Sequence, residues 1–193
     1  KDSLDDFPTP MWATRALFEK ILKKNIFKNK ICLEPACGRG FMAEPLKEYF
    51  KTVIAKDIHP YGYGDCEDYL RSKDENKYDW VVTNPPFKLA EEFINKALNE
   101  TKGGVAIFIR TTFLESIGRY NNIFSVNKPT LVAQFSERVP LIKGRVDKSA
   151  STATGYCWIV WNKDKVKKTN LEWIPPCRKE LEKNDDYEIP ILK

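Results

Sequence analysis

The tetrapeptide Asn84-Pro85-Pro86-Phe87 has a composition suited to chemistry on a planar amino group. It follows the run Asp79-Trp80-Val81-Val82-Thr83 directly. That places it at the carboxyl end of a strand, where open α/β sheets hold ligands. Two consecutive prolines withdraw two backbone donors and stiffen the turn. The carbonyls stay available, and the Asn84 amide oxygen adds a further acceptor. Two acceptors converging on an NH2 group would draw its lone pair out of conjugation and aim it at an electrophile. Phe87 offers a flat surface for stacking. If the donor is already activated, no general base is needed before attack. The work is then positioning and stabilisation of charge developing on nitrogen.

A second cluster lies upstream in Glu34-Pro35-Ala36-Cys37-Gly38-Arg39-Gly40. Gly38 and Gly40 permit a tight strand-to-helix turn and let a ligand approach the backbone. A glycine pair alone also fits an ordinary turn. Asp57, 17 positions after Gly40, strengthens the ligand reading. It ends the next strand, where an acid hydrogen-bonds a ribose diol. Asp68, after a third strand, can accept from an adenine amino group. The spacing matches neither a dinucleotide fingerprint nor a P-loop. Glu34 would repel a pyrophosphate and suits a cation, so the expected ligand is a nucleoside with a positive, phosphate-free arm.

These residues need a scaffold, and the apolar pattern supplies one. Strands are expected at Ile31–Glu34, Thr52–Lys56, Tyr78–Thr83, Val105–Arg110, Leu131–Phe135 and Tyr156–Trp161. Helices are expected from Thr9-Pro10 to near Lys24, over Met42–Tyr49, over Leu89–Asn99 closed by Gly103-Gly104, and over Phe113–Phe124 with a break at Gly118. Alternating strands and helices predict a single doubly wound, Rossmann-like α/β domain with a mostly parallel sheet. The last two strands lack a helix between them, so a hairpin adding an antiparallel edge is expected. Residues 1–162 form this domain. Residues 163–193 read as an appendage, not an independent domain, that opens with a basic run, Lys163 to Lys168, and is packed by Leu171, Trp173 and Ile174.

The hydrophobic fraction of 42% and charged fraction of 31% are those of a globular protein with a core, and no apolar run could cross a bilayer. Five scattered cysteines without CxxC pairing and a single histidine, His59, cannot complete a zinc set; they imply a cytoplasmic protein without a structural metal. The net charge of +5 is compatible with a polyanionic partner. The segment Phe135 to Lys148 holds Arg138, Lys143, Arg145 and Lys148, and a hydroxyl-rich stretch follows it. It reads as a mobile loop contacting nucleic-acid phosphates, with a solvated hairpin loop as the bland alternative. Arg110 and Arg119 are further candidates.

Glu34 to Gly40 and Asn84 to Phe87 resemble motifs I and IV of the amino-methyltransferase branch of the class I methyltransferases. Phe7-Pro8-Thr9-Pro10 resembles the motif that precedes the first helix in that family. The chain is most similar to small phage- or prophage-type DNA N6-adenine methyltransferases, from about Phe7 to Trp161, with Ala36 where many members have glycine. The resemblance implies S-adenosyl-L-methionine as cofactor, held by Thr9, Pro10, Trp12, Glu34, Ala36, Gly38, Gly40, Asp57, Ile58, Asp68, Tyr69 and Asn84. It implies methyl transfer to adenine N6 in DNA, with Asn84, Pro85, Pro86 and Phe87 as catalytic residues. RNA methylation at adenine N6 or guanine N2 is the main alternative. Protein glutamine methylation is disfavoured, because only about 30 residues precede the first strand. The 32 residues after Trp161 imply short or lax target recognition.

Overall fold

The computed structural model describes residues 5–73, 77–164 and 168–190. Its centre is an eight-stranded sheet of order β3-β2-β1-β4-β5-β7-β6-β8. The strands are β1 (Ile31–Glu34), β2 (Thr52–Asp57), β3 (Asp65–Cys66), β4 (Tyr78–Thr83), β5 (Thr101–Arg110), β6 (Leu131–Phe135), β7 (Tyr156–Asn162) and β8 (Asn170–Ile174). From β3 through β5 every pairing is parallel. This is the mostly parallel Rossmann-like sheet expected from the alternation of strands and helices.

The antiparallel strand is not at an edge. β7 runs antiparallel to both β5 and β6 and separates them. All its residues are buried, so it belongs in the sheet's interior. The segment after 162 adds the parallel edge strand β8. Of the three residues expected to pack it, only Ile174 is buried; Leu171 and Trp173 are exposed. Part of the basic run, residues 165–167, lies outside the described residues.

Strand periodicity sends alternate side chains to opposite faces, and β5 shows the result. Ala106 and Phe108 join one core with Trp12, Leu17, Trp80 and Trp158. Val105, Ile107 and Ile109 join the other with Leu33, Ile94 and Ile159. The first face is covered by α1 (Met11–Ala16), which continues as a wider π-type turn to Ile21, and by α2 (Ala43–Leu46). The second is covered by α3 (Ala90–Glu100), whose Phe93, Ile94 and Ala97 are buried.

Several helix boundaries differ from expectation. α2 ends at Leu46 rather than Tyr49, and the first helical segment at Ile21 rather than near Lys24. Two further differences have an identifiable cause. Gly103-Gly104 does not close α3; it lies inside β5, where a Cβ on either glycine would fall 2.7 Å from the Trp80 indole. The Trp80 ring needs those glycines, so the strand begins earlier. The segment after β5 breaks at Ser116, not at Gly118: the Ser116 side chain accepts from the Arg119 N–H and starts the short helix α4 (Ile117–Arg119).

The chain's end is tied to α1. The Arg15 guanidinium meets Asp186 at 2.7 Å and Glu48 at 2.9 Å, and donates to the Leu181 carbonyl at 3.0 Å. Arg15 and Asp186 are both buried, so each ion depends on the other for compensation.

Phe108 is fully buried between the Phe135, Tyr156 and Trp158 rings, with centroids 5.1 to 6.0 Å away. Phe108→Ala should therefore cost about 3–5 kcal/mol of unfolding free energy, seen as a lower urea midpoint. A loss under about 1 kcal/mol would mean that this face repacks freely.

Candidate active site

The ends of β2, β1 and β4 lie side by side, and each delivers a polar residue to one cavity of about 290 Å³. β1 ends in Glu34, β2 in Asp57, and β4 passes directly into Asn84. Crossovers leave β1 in one direction and β4 in the other, so the cavity sits at the topological switch point of the sheet.

The turn after β1 is shaped by two left-handed glycines, Gly38 at φ 52° and Gly40 at φ 89°. They do different work. A Cβ on Gly38 would meet open space, and its N–H donates to Asp57 Oδ2 at 2.9 Å. A Cβ on Gly40 would fall 2.5 Å from the Tyr63 ring. Gly38 therefore faces the cavity, while Gly40 lets the turn pack on Tyr63. The other Asp57 oxygen accepts from the His59 N–H at 2.9 Å. Each oxygen retains a second lone pair for a ligand hydroxyl.

Glu34 is buried, and its recorded contacts fall on one oxygen. Oε1 accepts from the Thr83 hydroxyl at 2.5 Å and from the Ala36 N–H at 3.1 Å. Oε2 meets no donor, and the carboxylate no cation, among the described residues. Burial pushes its pKa up to about 8, against the two hydrogen bonds, which lower it; the Asp57 charge adds to the rise.

Asn84 is held from behind. Nδ2 donates to the Phe7 carbonyl at 2.9 Å and to Thr9 Oγ1 at 3.1 Å. A carbonyl can only accept, so this assigns the amide: both hydrogens are spent, and Oδ1 is left to accept. The Pro86 carbonyl takes the Leu89 N–H at 3.0 Å. The Pro85 carbonyl has no donor among the described residues and is the second available acceptor. The Phe87 ring lies 5.6 Å from Phe7 and has the Arg110 guanidinium 4.2 Å from its centroid.

The cavity wall contains Thr9, Glu34, Ala36, Gly38, Asp57, Ile58, Asp68, Tyr69 and the whole of Asn84 to Phe87. Three expected residues stand outside it. Gly40 backs onto Tyr63, Pro10 is the buried residue that starts α1, and Trp12 turns into the core 5.8 Å from Phe135. Asp68 caps the following turn by accepting from the Leu70 N–H at 3.1 Å, and Tyr69 packs 5.1 Å from Phe93. Asp5, Asp6, Leu70 and Phe93 also line the cavity. Asp5, Asp6 and Phe93 were missed because they arrive through long-range packing, and Leu70 although it follows Asp68-Tyr69 directly. Phe7, Pro8, Pro35, Cys37 and Arg39, which also line the cavity, lie within the motifs quoted from the sequence.

The N-terminal segment forms a strap across the site. Asp5 Oδ2 accepts from the Phe87 N–H at 2.6 Å, and Asp6 Oδ2 pairs with Arg39 at 2.9 Å. Arg39 also donates to the Gly144 carbonyl, and the Gly144 N–H donates to the Asp6 carbonyl. The loop expected to be mobile is thus anchored to the strap. Arg138, Lys143, Arg145 and Lys148 are exposed, and none lines the cavity. Arg138 donates to the Ala153 carbonyl at 2.9 Å, and Arg145 and Lys148 each lie 3.5 Å from an acid, Asp147 and Glu182. No helix of the described residues is long and apolar enough to cross a membrane.

No protein-family model matches this chain, and no curated protein sequence matches it. Solved structures do. A protein assigned as a modification subunit of a type I restriction enzyme from Vibrio vulnificus superposes with a TM-score of 0.61 at 14% identity, over 95% of this chain and 51% of that one. A type I restriction-modification methyltransferase subunit from Streptococcus thermophilus gives 0.59 at 12% identity, over 97% and 51%. A protein assigned as an RNA methyltransferase from Pyrococcus horikoshii gives 0.59 at 15% identity, over 84% and 90%. The chain spans about half the length of the two restriction subunits. At these identities the likeness establishes the Rossmann-like fold that these proteins share.

The Glu34 carboxyl has a consequence for stability. Between the ordinary carboxylate pKa of 4.5 and about 8, the folded protein keeps a proton that the unfolded chain has released. The contribution is full below 4.5, is lost as pH rises through about 8, and is flat above. Glu34→Gln retains the Oε1 acceptor and cannot ionise. Its melting temperature relative to the unmodified protein should rise between pH 5 and 8.5. A difference that stays constant over that range would uncouple Glu34 from folding.

Proposed function

We propose that this chain is an S-adenosyl-L-methionine-dependent methyltransferase acting on the exocyclic N6 amino group of adenine in DNA. The observation that carries this reading is the fixed orientation of Asn84. Its amide hydrogens are bound by Phe7 and Thr9, and its oxygen is left to accept.

The residues present fit the cofactor. Glu34 is a buried acid without a counter-ion among the described residues, and it lines the cavity together with Gly38, where a Cβ would meet open space. A cationic methionine arm supplies the missing charge, and Asp57 offers its remaining lone pairs to ribose hydroxyls. Ile58, Asp68 and Tyr69 line the same cavity and are the residues that would hold an adenine ring. When bound, the cofactor supplies a methyl group already activated on a sulfonium.

The chain's own residues supply the rest. Asn84 Oδ1 and the Pro85 carbonyl accept the two hydrogens of the target amino group, turning its lone pair toward the methyl. As nitrogen takes the methyl and becomes positive, the electron pair of the broken carbon–sulfur bond staying on the donor sulfur, both acceptors would stabilise the charge until one proton leaves to water, and the fixed amide needs no reorganisation. Phe87 orients the plane of the acceptor ring. A base paired in a duplex hides its amino group, so the target must be flipped out or single-stranded. The basic residues Arg138, Lys143, Arg145 and Lys148 are the proposed phosphate contacts around it.

Fold likeness to restriction-modification subunits supports the DNA reading. A base amino group in RNA is the second reading, favoured by the protein assigned as an RNA methyltransferase, 90% of which this chain covers. The deciding measurement is transfer of labelled methyl to DNA, RNA and a release-factor protein in parallel, followed by nucleoside and amino-acid analysis. N6-methyldeoxyadenosine is the expected product. Label only in RNA, or only in glutamine, would overturn the DNA assignment. Asn84→Ala should lower turnover by at least about a hundredfold and leave cofactor affinity within a few-fold; undiminished turnover would remove Asn84 from the mechanism.

Cofactor binding carries a pH signature. Below about 8 the Glu34 carboxyl is protonated in the free protein, and a cationic ligand favours its ionised form. Binding at pH 7 should release a proton, and affinity should rise with pH until about 8. Calorimetry in buffers of different ionisation enthalpy measures that release. Its persistence in Glu34→Gln would show that another group loses the proton.

A further inference from the structure

Arg110 ends β5, next to the strand that carries the Asn84 turn, and its guanidinium lies on the Phe87 ring, 4.2 Å from the centroid. Its Nε is buried without a hydrogen-bond partner. No carboxylate pairs with its charge among the described residues. Tyr156, its cross-strand neighbour, has a phenol close enough for Arg110 to lower its pKa against the rise caused by burial. Asp5, which lines the cavity, accepts the Phe87 N–H on Oδ2. A planar, permanent cation is thus held at the acceptor side of the site by a ring face and a phenol, with donors to spare.

We infer that Arg110 is a substrate-positioning residue that binds the phosphate of the target nucleotide. The inference rests on the nucleic-acid reading above and deepens it by naming the group recognised. A guanidinium on an aromatic face is worth about 0.5–2 kcal/mol, whereas two charge-assisted bonds to a phosphate are stronger. In the free protein Arg110 covers Phe87. An arriving nucleotide exchanges that contact for its phosphate and uncovers the ring for the base. The same exchange disfavours a glutamine side chain, which brings no anion to draw the guanidinium away. Arg138 stands on the same side, with Nη1 3.6 Å from where a Gly155 Cβ would be and Thr111 Oγ1 3.2 Å from that point, so a second guanidinium lies near the end of β5.

The test uses the full chain with unmethylated double-stranded DNA of mixed sequence as acceptor. Initial rates across salt concentrations yield KM, kcat and the slope of log KM against log salt. Arg110→Gln should raise KM for DNA about tenfold and make the salt slope shallower by about one counterion, with kcat and cofactor affinity little changed. A variant that loses kcat while keeping its KM and salt slope would show that Arg110 merely supports Phe87, and would overturn the inference. If Arg110→Gln does not fold, Arg110→Lys carries the test: it keeps the charge and loses the two-donor fork, so KM should rise severalfold at an unchanged slope. An unchanged KM in that variant would equally overturn it. Failure of the underlying reading looks different, because the unmodified protein would then methylate neither DNA nor RNA.

Discussion

The hydroxyl of Thr83 donates to the carboxyl of Glu34 across 2.5 Å, and that bond joins the end of β4 to the end of β1. Both residues are buried, so water cannot replace either partner. On one side of the bond the chain turns through Ala36 and Gly38 toward Asp57; on the other it enters Asn84 and the prolines. The two halves of the cavity are therefore joined by this short contact as well as by the β1–β4 pairing. Burial keeps the carboxyl at its centre protonated to about pH 8. An ionised Glu34 without a partner would be costly, and a neutral side chain of the same shape would hold the strands equally well while attracting no ligand.

The second half of the site is completed from a distance in sequence. Asn84 would be a freely rotating amide at the end of a strand if Phe7 and Thr9 did not bind its two hydrogens. Those residues hold position because the strap that contains them is pinned at Asp5 to Phe87 and at Asp6 to Arg39. The strap thus acts on the Asn84 amide, the glycine turn and the loop around Gly144 together.

Much of this is legible in the sequence, for reasons that differ by element. Ile31–Glu34 and Tyr78–Thr83 are short apolar runs ended by polar residues or prolines, so their carboxyl ends, and the acids there, can be located from one strand alone. The slot occupied by Tyr156–Asn162 cannot. A strand inserted between β5 and β6 and a strand added at the edge share the same pattern, and only the burial of both its faces distinguishes them. Trp12 shows a similar limit: helical spacing puts it on the apolar face and does not say whether that face meets core or cavity. Gly103-Gly104 reads as a helix stop because the Trp80 ring that requires small residues there is distant in sequence. The contacts of Asp5 and Asp6 leave no local trace at all.

The insertion of β7 also governs the order in which the protein can be made. β5 and β6 are both in place by residue 135, yet they do not touch as neighbours; the strand between them comes from residues 156–162. Until that segment leaves the ribosome, β5 presents an unpaired edge, and Phe108 lacks the Trp158 ring against which it packs. The nascent chain thus carries a nearly finished Asn84 turn on an open, apolar half-sheet prone to pairing with other chains. Closure waits on a strand encoded more than seventy residues beyond that turn. Synthesis pauses before residues 156–162 have emerged would prolong that exposed state, whereas pauses after their emergence would find the sheet's central gap already filled.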